Sequence, residues 1–276
     1  MKITHKKSNY ESNEIINKLA QDHPQIFVVN QVNLGLSAAR NNGLSFSKSD
    51  LVAFLDVDDY WLPNKIESQV REILKEDKAV AVASGYLEDI NGTTRPGLKP
   101  RRRVRINPKN LFLQIAFLPG SASSILIRRQ SIQYTGSDMF DTRLSFAEDL
   151  ESWIRLSEIG PIRLCNEVGT VIHRRSDSMQ GQMRNNAEPY LRSMMLIIEK
   201  HSLRISKFHK LFYRNYILFQ TFRPLKLNFR PNLDISVVRE YFTLPKNKFQ
   251  IYLVYFAKFV FLVTPYYAYR LVVKVR

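Results

Sequence analysis

Over the first third of the chain, apolar positions switch between helical and extended spacing. "EIINKLA" (14–20) has the spacing of a helix end, and "QIFVV" (25–29) reads as a short strand. "SAARNNGLSFS" has the composition of a short helix, with Ser37 placed to cap it after the turn "NLG". "LVAFL" (51–55) is apolar on both faces, as in a strand of a parallel sheet covered by helices. Pro63 suits the first turn of the next helix, whose Leu62, Ile66, Val70, Ile73 and Leu74 fall on one side; "AVAVASGY" then supplies another strand. This alternation predicts an α/β fold on a mostly parallel sheet flanked by helices.

From about residue 87 to 176 the pattern is more broken. It holds a turn at "INGTT", a basic run "KPRRRVR" (99–105), the strand-like "SSILIRR", a helix beginning near "AEDLESWIRLSE" and the strand-like "GTVIHRR". From about residue 188 the chain becomes helical and rich in aromatic and basic residues. Its last stretch is apolar for about sixteen residues, interrupted by Lys258 and Pro265, which is short of the ~20 that a spanning helix needs. Two readings stay open there: a helix lying in the membrane interface, or a terminal helix packed on the core. The expected division is therefore 1–186 and 187–276, with no internal repeat.

A chain of 276 residues, 45% hydrophobic, can bury the core of one domain with an appendage. The net charge of +16 favours anionic partners: nucleotides, phospholipid head groups or nucleic acid. No zinc-finger or RNA-recognition signature accompanies that charge, so nucleic acid is not an expected partner. The single cysteine, Cys165, excludes an internal disulfide and suits a reducing compartment. Five scattered histidines give no zinc-site spacing, and the polar N-terminus lacks an apolar signal core, so the expectation is cytoplasmic.

"FLDVDDYW" (54–61) places three acids directly behind the apolar run. Carboxylates at the end of such a strand lie where open α/β sheets bind ligands. On an extended chain Asp56 and Asp58 share one face, with Val57 on the other. Two hard oxygen ligands suit Mg²⁺ or Mn²⁺, which take one or two carboxylates and complete their shell with water and phosphate oxygens. The alternative is a cap, Asp58 or Asp59 serving the N-terminus of the following helix.

Three segments in order, "NQVNLGLSAARNNGL", "LVAFLDVDDYWLPNKIESQV" and "FDTRLSFAEDLESWIRL", resemble family 2 glycosyltransferases of the GT-A fold. The matching positions are Asn33, Gly35, Ala39, Arg40 and Asn41; Asp56, Asp58, Asp59, Trp61, Pro63 and Lys65; and Glu148, Asp149 and Arg155. The resemblance implies a GT-A, Rossmann-like sheet with a helical C-terminal extension. It implies transfer, with inversion, from a nucleotide-sugar donor (a UDP-sugar) to a glycan or glycolipid acceptor. The expected setting is bacterial cell-surface polysaccharide biosynthesis, peripheral at the inner face of the plasma membrane. It assigns Asn33, Gly35, Arg40, Asp56 and His173 to the donor, and Asp58 with Asp56 to a divalent cation, Mn²⁺ or Mg²⁺. Asp149 is the expected base, with Glu148 the alternative; both also read as acids facing a helix dipole, and His173 also reads as structural. "SASSILIRR" resembles the acceptor-side strand of the family, and "VIHRRSDSM" its closing motif near the donor phosphates.

The family's opening strand, and its second strand ending in D-D-G-S-x-D, find no counterpart; the match begins at "SNYESNEIINKLA". Those strands carry the pocket for the nucleotide base. The expectation is a start upstream of Met1 or a broken gene, open edges on the strands at 25–29 and 51–55, and weak nucleotide-sugar binding by the chain as given. The alternative function is an inactive GT-A remnant with at most a binding role.

Overall fold

The computed structural model describes residues 2–4, 10–98, 121–136, 138–174 and 188–201. The chain opens with β1 (Lys2–Thr4), α1 (Tyr10–Asp22) and β2 (Val28–Asn30), and the two strands pair in parallel with Ile3 opposite Val29. The edge expected to be open at 25–29 is thus covered by β1, a strand of three residues, too short to show a period. Next come α2 (Leu36–Phe46), β3 (Leu51–Ala53), β4 (Tyr60–Trp61), α3 (Lys65–Ile73), β5 (Ala81–Ile90) and β6 (Thr93–Leu98). After a 3₁₀ turn at Ala122–Ser124 follow β7 (Ile125–Arg128), α4 (Arg129–Gln133), α5 (Glu148–Ile159), β8 (Ile162–His173) and α6 (Glu188–Lys200).

Six strands form the larger sheet in the order β3-β7-β5-β8-β4, with β6 also on β5. The α/β class stands, but this sheet is mixed: β5 and β8 pair in parallel, while β3–β7, β5–β7, β4–β8 and β5–β6 are antiparallel. Part of the reason is local. Asn91 and Gly92 both take positive φ, the twist of a two-residue hairpin turn, so β6 folds straight back along β5. The outer edge of β3 has no strand beside it among the described residues, and the β1–β2 ladder stands apart from the larger sheet.

Side chains alternate across β5. Ala81 joins Ile125, Ile127, Phe140, Trp153, Leu156 and Ile162 in one core, while Val82 joins Ile73, Ala79 and Cys165 in the other. Phe140 stands edge-on to both Phe54 (5.1 Å between centroids) and Trp153 (6.3 Å), which fixes the strand leading to the acids against the loop before α5.

Helix α3 departs from its expected face. Ile66 and Leu74 are exposed, and the buried positions are Lys65, Ser68, Gln69 and Ile73. Polar groups can be buried there because each finds a partner. The Gln69 amide donates to the carbonyls of Val82 and Ser124, and Lys65 Nζ donates to Gln69 Oε1 (2.7 Å) while lying 4.4 Å from the centre of the Trp61 ring. Pro63 precedes the helix by two residues instead of opening it, and Gly35 rather than Ser37 is the N-cap of α2.

Burial with no facing carboxylate pushes the Lys65 ammonium down to about 8, slightly opposed by Cys165. The unfolded chain then binds the extra proton between about pH 8 and 10.5, so this group makes stability rise with pH across that window. Urea unfolding is expected to show a gain of about 2 kcal/mol between roughly pH 7.5 and 10 that Lys65→Met lacks. Parallel curves for the two proteins would refute it.

Candidate active site

The acids of "FLDVDDYW" do not lie on a strand. β3 stops at Ala53, and residues 56–59 form a turn closed by the Asp59 N–H donating to the Asp56 carbonyl (3.1 Å). The alternation expected for Asp56 and Asp58 therefore does not apply, and each acid of the turn meets different surroundings. Asp56 accepts from Arg40 Nη2 at 2.6 Å. Asp59 accepts from the Ser121 hydroxyl (3.2 Å) and from the His173 N–H (3.2 Å), and burial raises its proton affinity, opposed by Ser123 and the His173 N–H. Asp58 is exposed at the tip.

The turn is held from below by Ser123, which is fully buried. Its hydroxyl accepts the Asp56 N–H (3.0 Å), and its carbonyl accepts from Trp61 Nε1 (2.8 Å) and from the Thr170 hydroxyl (3.1 Å). This explains the tryptophan two residues past the acids: its ring covers Lys65 and its N–H anchors the turn. The reach of Ser121 and Ser123 to the turn was not visible in the sequence, since "SASS" carries no distinctive spacing.

Asn33 and Gly35 shape the entrance to α2. Gly35 has φ +89°, which an L side chain rarely adopts, and its N–H donates to Asn33 Oδ1 (3.2 Å). Among the described residues no side chain caps the helix beyond it, and a helix N-terminus left uncapped in this way suits an anion. Neither residue contacts the acids. Asn41, one turn on, clasps the backbone of Phe140, donating to its carbonyl (2.7 Å) and accepting its N–H (2.9 Å).

Arg40 joins the motifs. It is 8% exposed, and while Nη2 holds Asp56, Nη1 donates to Glu148 Oε1 at 2.7 Å. Burial works against its charge, but Asp56 and Glu148 outweigh that and hold its proton more tightly than solvent does. Each Nη group donates to a carboxylate, so the arginine offsets the charge of the acids. Glu148 and Asp149 begin α5 after Ala147, a non-glycine residue at φ +58°. Burial, and then the neighbouring Glu148, push the Asp149 carboxyl up to about 7, with Arg40 pulling the other way. His173 is near the turn through its backbone, but its ring Nδ1 pairs with Asp89 (3.1 Å).

Among the described residues no group of three or more His, Cys, Asp or Glu is gathered for a metal. Asp58 and the second oxygen of Asp56 carry no bond among those residues, leaving hard oxygen donors at an exposed turn. That fits a cation that takes one or two carboxylates and fills its shell with water and phosphate oxygens.

Residues 6–134 match the model of Glycosyl transferase family 2. The matched segment belongs to that family. It is 27% identical over 175 residues to the chondroitin synthase of Pasteurella multocida, covering 60% of this chain and 17% of that protein. It is 36% identical over 75 residues to the Escherichia coli UDP-Glc:α-D-GlcNAc-diphosphoundecaprenol β-1,3-glucosyltransferase WfaP, covering 27% of this chain and 30% of that one. The chain thus spans less than a third of either relative. Staphylococcus aureus TarS, solved with UDP, superposes with a TM-score of 0.56 at 15% identity, over 80% of this chain and 62% of that one, and establishes the GT-A fold of this family 2 member.

Proposed function

We propose that the chain carries the transfer centre of an inverting glycosyltransferase that moves a sugar from a UDP-sugar to a glycan or lipid-linked glycan acceptor. The observation that carries this reading is the Arg40 bridge, which draws acids from two distant motifs, Asp56 and Glu148, into one site beside Asp149. Asp149 has a proton affinity near neutrality, which suits a general base at physiological pH. Glu148 is tied to Arg40 and serves as its electrostatic neighbour.

In this reading the acceptor hydroxyl attacks the anomeric carbon while its proton passes to Asp149. The bond from that carbon to the diphosphate breaks, and a single displacement inverts the centre. Asp58 and the second Asp56 oxygen are the groups that would hold Mn²⁺ or Mg²⁺, and the cation would supply positive charge to the departing diphosphate. The open N-terminus of α2 after Asn33 and Gly35 offers amides to the same phosphates. His173, through its N–H to Asp59, keeps the acidic turn in place.

A lipid-linked acceptor is supported by the WfaP relative, whose named substrate is a diphosphoundecaprenol, and by the net charge of +16, which suits an anionic membrane face. Among the described residues no helix is long and apolar enough to cross a membrane, and the apolar stretch near the C-terminus lies outside them. The reading is therefore a peripheral enzyme at the cytoplasmic face. Titration of UDP-glucose and UDP-N-acetylglucosamine with Mn²⁺ tests it directly. Weak binding is expected, with Asp58→Ala weakening it about tenfold or more again, as loss of a hard-cation ligand should. No binding by the intact chain would favour the inactive remnant with a binding role.

A further inference from the structure

We infer that α6 is part of the catalytic apparatus and that Ser193 is a positioning residue for the Glu148–Asp149 pair. This rests on the transferase reading above. Ser193 is 3% exposed, and its single hydroxyl oxygen accepts two successive backbone N–H groups, from Ser145 (3.2 Å) and Phe146 (3.1 Å). The next residue is Ala147, in the left-handed conformation, and the residue after it is Glu148. A left-handed alanine is unfavourable and persists only where its surroundings dictate it. Upstream that surrounding is Ser193; downstream, the Ala147 carbonyl accepts the Glu151 N–H (3.1 Å).

Other contacts of α6 point to the same loop. Tyr190 meets Phe146 edge-on at 6.3 Å, and Lys200 donates to Asp141 (3.0 Å) and pairs with Glu151 (2.8 Å). His201 Nε2 lies 3.2 Å from the same Glu151 oxygen. Met194, Ile197 and Ile198 seat the helix by burial. The loop from 138 to 146 is thus gripped at its start by Asn41 and Arg155 and at its end by Ser193, so the direction in which α5 presents its first two acids depends on a helix beyond residue 134, where the family match ends.

The test uses the full chain, with turnover read as UDP released when UDP-glucose or UDP-N-acetylglucosamine, with Mn²⁺, is given an N-acetylglucosamine-diphospholipid acceptor of the kind WfaP uses, and amide exchange read at Ser145 and Phe146. Ser193→Ala is expected to lower kcat about 10- to 100-fold with the donor KM changed less than about twofold, because a misplaced base costs rate and not donor affinity. Amide exchange at the two positions should quicken, Ser193→Thr should restore both readings, and Ser193→Ala should cost almost nothing further in an Asp149→Asn background. If Ser193→Ala does not fold, Ser193→Cys, whose sulfur is a weaker acceptor at the same place, carries the comparison. An active wild type with unchanged kcat in the variant, or with unchanged exchange, overturns the inference alone. A wild type that turns over neither donor overturns the transferase reading and this inference with it.

Discussion

Replacing Asp149 with asparagine is expected to lower kcat by about 10²- to 10⁴-fold, the usual contribution of a general base, while UDP-sugar binding stays within a few-fold of wild type. Asparagine keeps the shape of the side chain and its bond to the Leu150 N–H, but takes up no proton from the acceptor. The wild-type rate should rise with pH through about 7, because the carboxyl must be ionised to act. Stability runs the other way. A carboxyl whose folded proton affinity is raised from 3.8 to about 7 contributes stability that is full below about pH 4 and is lost as pH rises through about 7. The variant has no such ionisation, so it should be at least as stable as wild type at pH 8, with that advantage fading on acidification. Initial rates and urea unfolding on the two proteins from pH 5 to 9 decide the matter: a flat wild-type rate across pH 7, or full activity of the variant, removes Asp149 from the role of base.

Much of this site was legible in the chain, and what was not has a physical reason in each case. The strands at 79–86 and 123–129 and the helix after Ala147 announced themselves because their apolar positions face a dry core. The geometry of the acidic turn was misread: a run of apolar residues suggested that the strand continued to Leu55, whereas β3 ends at Ala53 and the chain turns at Asp56. Helix α3 hid its buried face because Lys65, Ser68 and Gln69 look solvent-bound until their partners on β5, Trp61 and Ser124 are known. Arg40 was noticed, but its bond to Glu148 was not, since spacing along a chain says nothing of a carboxylate 108 residues away. Ser193 gave no signal beyond being a small polar residue in an otherwise apolar turn of α6, and its importance lies in two backbone donors 47 and 48 residues earlier.

Arg40→Met should be the most damaging single change to the fold of the site. The guanidinium is nearly buried, and the methionine that replaces it would pack over Phe140, whose ring centre lies 5.2 Å from the arginine carbon, so little volume is lost. What disappears is the cation that bridges Asp56 and Glu148. Removing one partner of a buried ionic cluster typically costs about 3–5 kcal/mol, because the remaining charges stay desolvated without compensation. Arg40→Lys should recover only part of that loss, since an ammonium is a point charge and does not reproduce the planar fork that reaches both acids at 2.6 and 2.7 Å. Chemical denaturation of the three proteins at neutral pH measures these differences. If Arg40→Met unfolds within about 1 kcal/mol of wild type at neutral pH, the bridge is not what holds the two acidic motifs together, and the site must owe its shape to the grip of Ser123 on one turn and of Asn41 and Ser193 on the other loop.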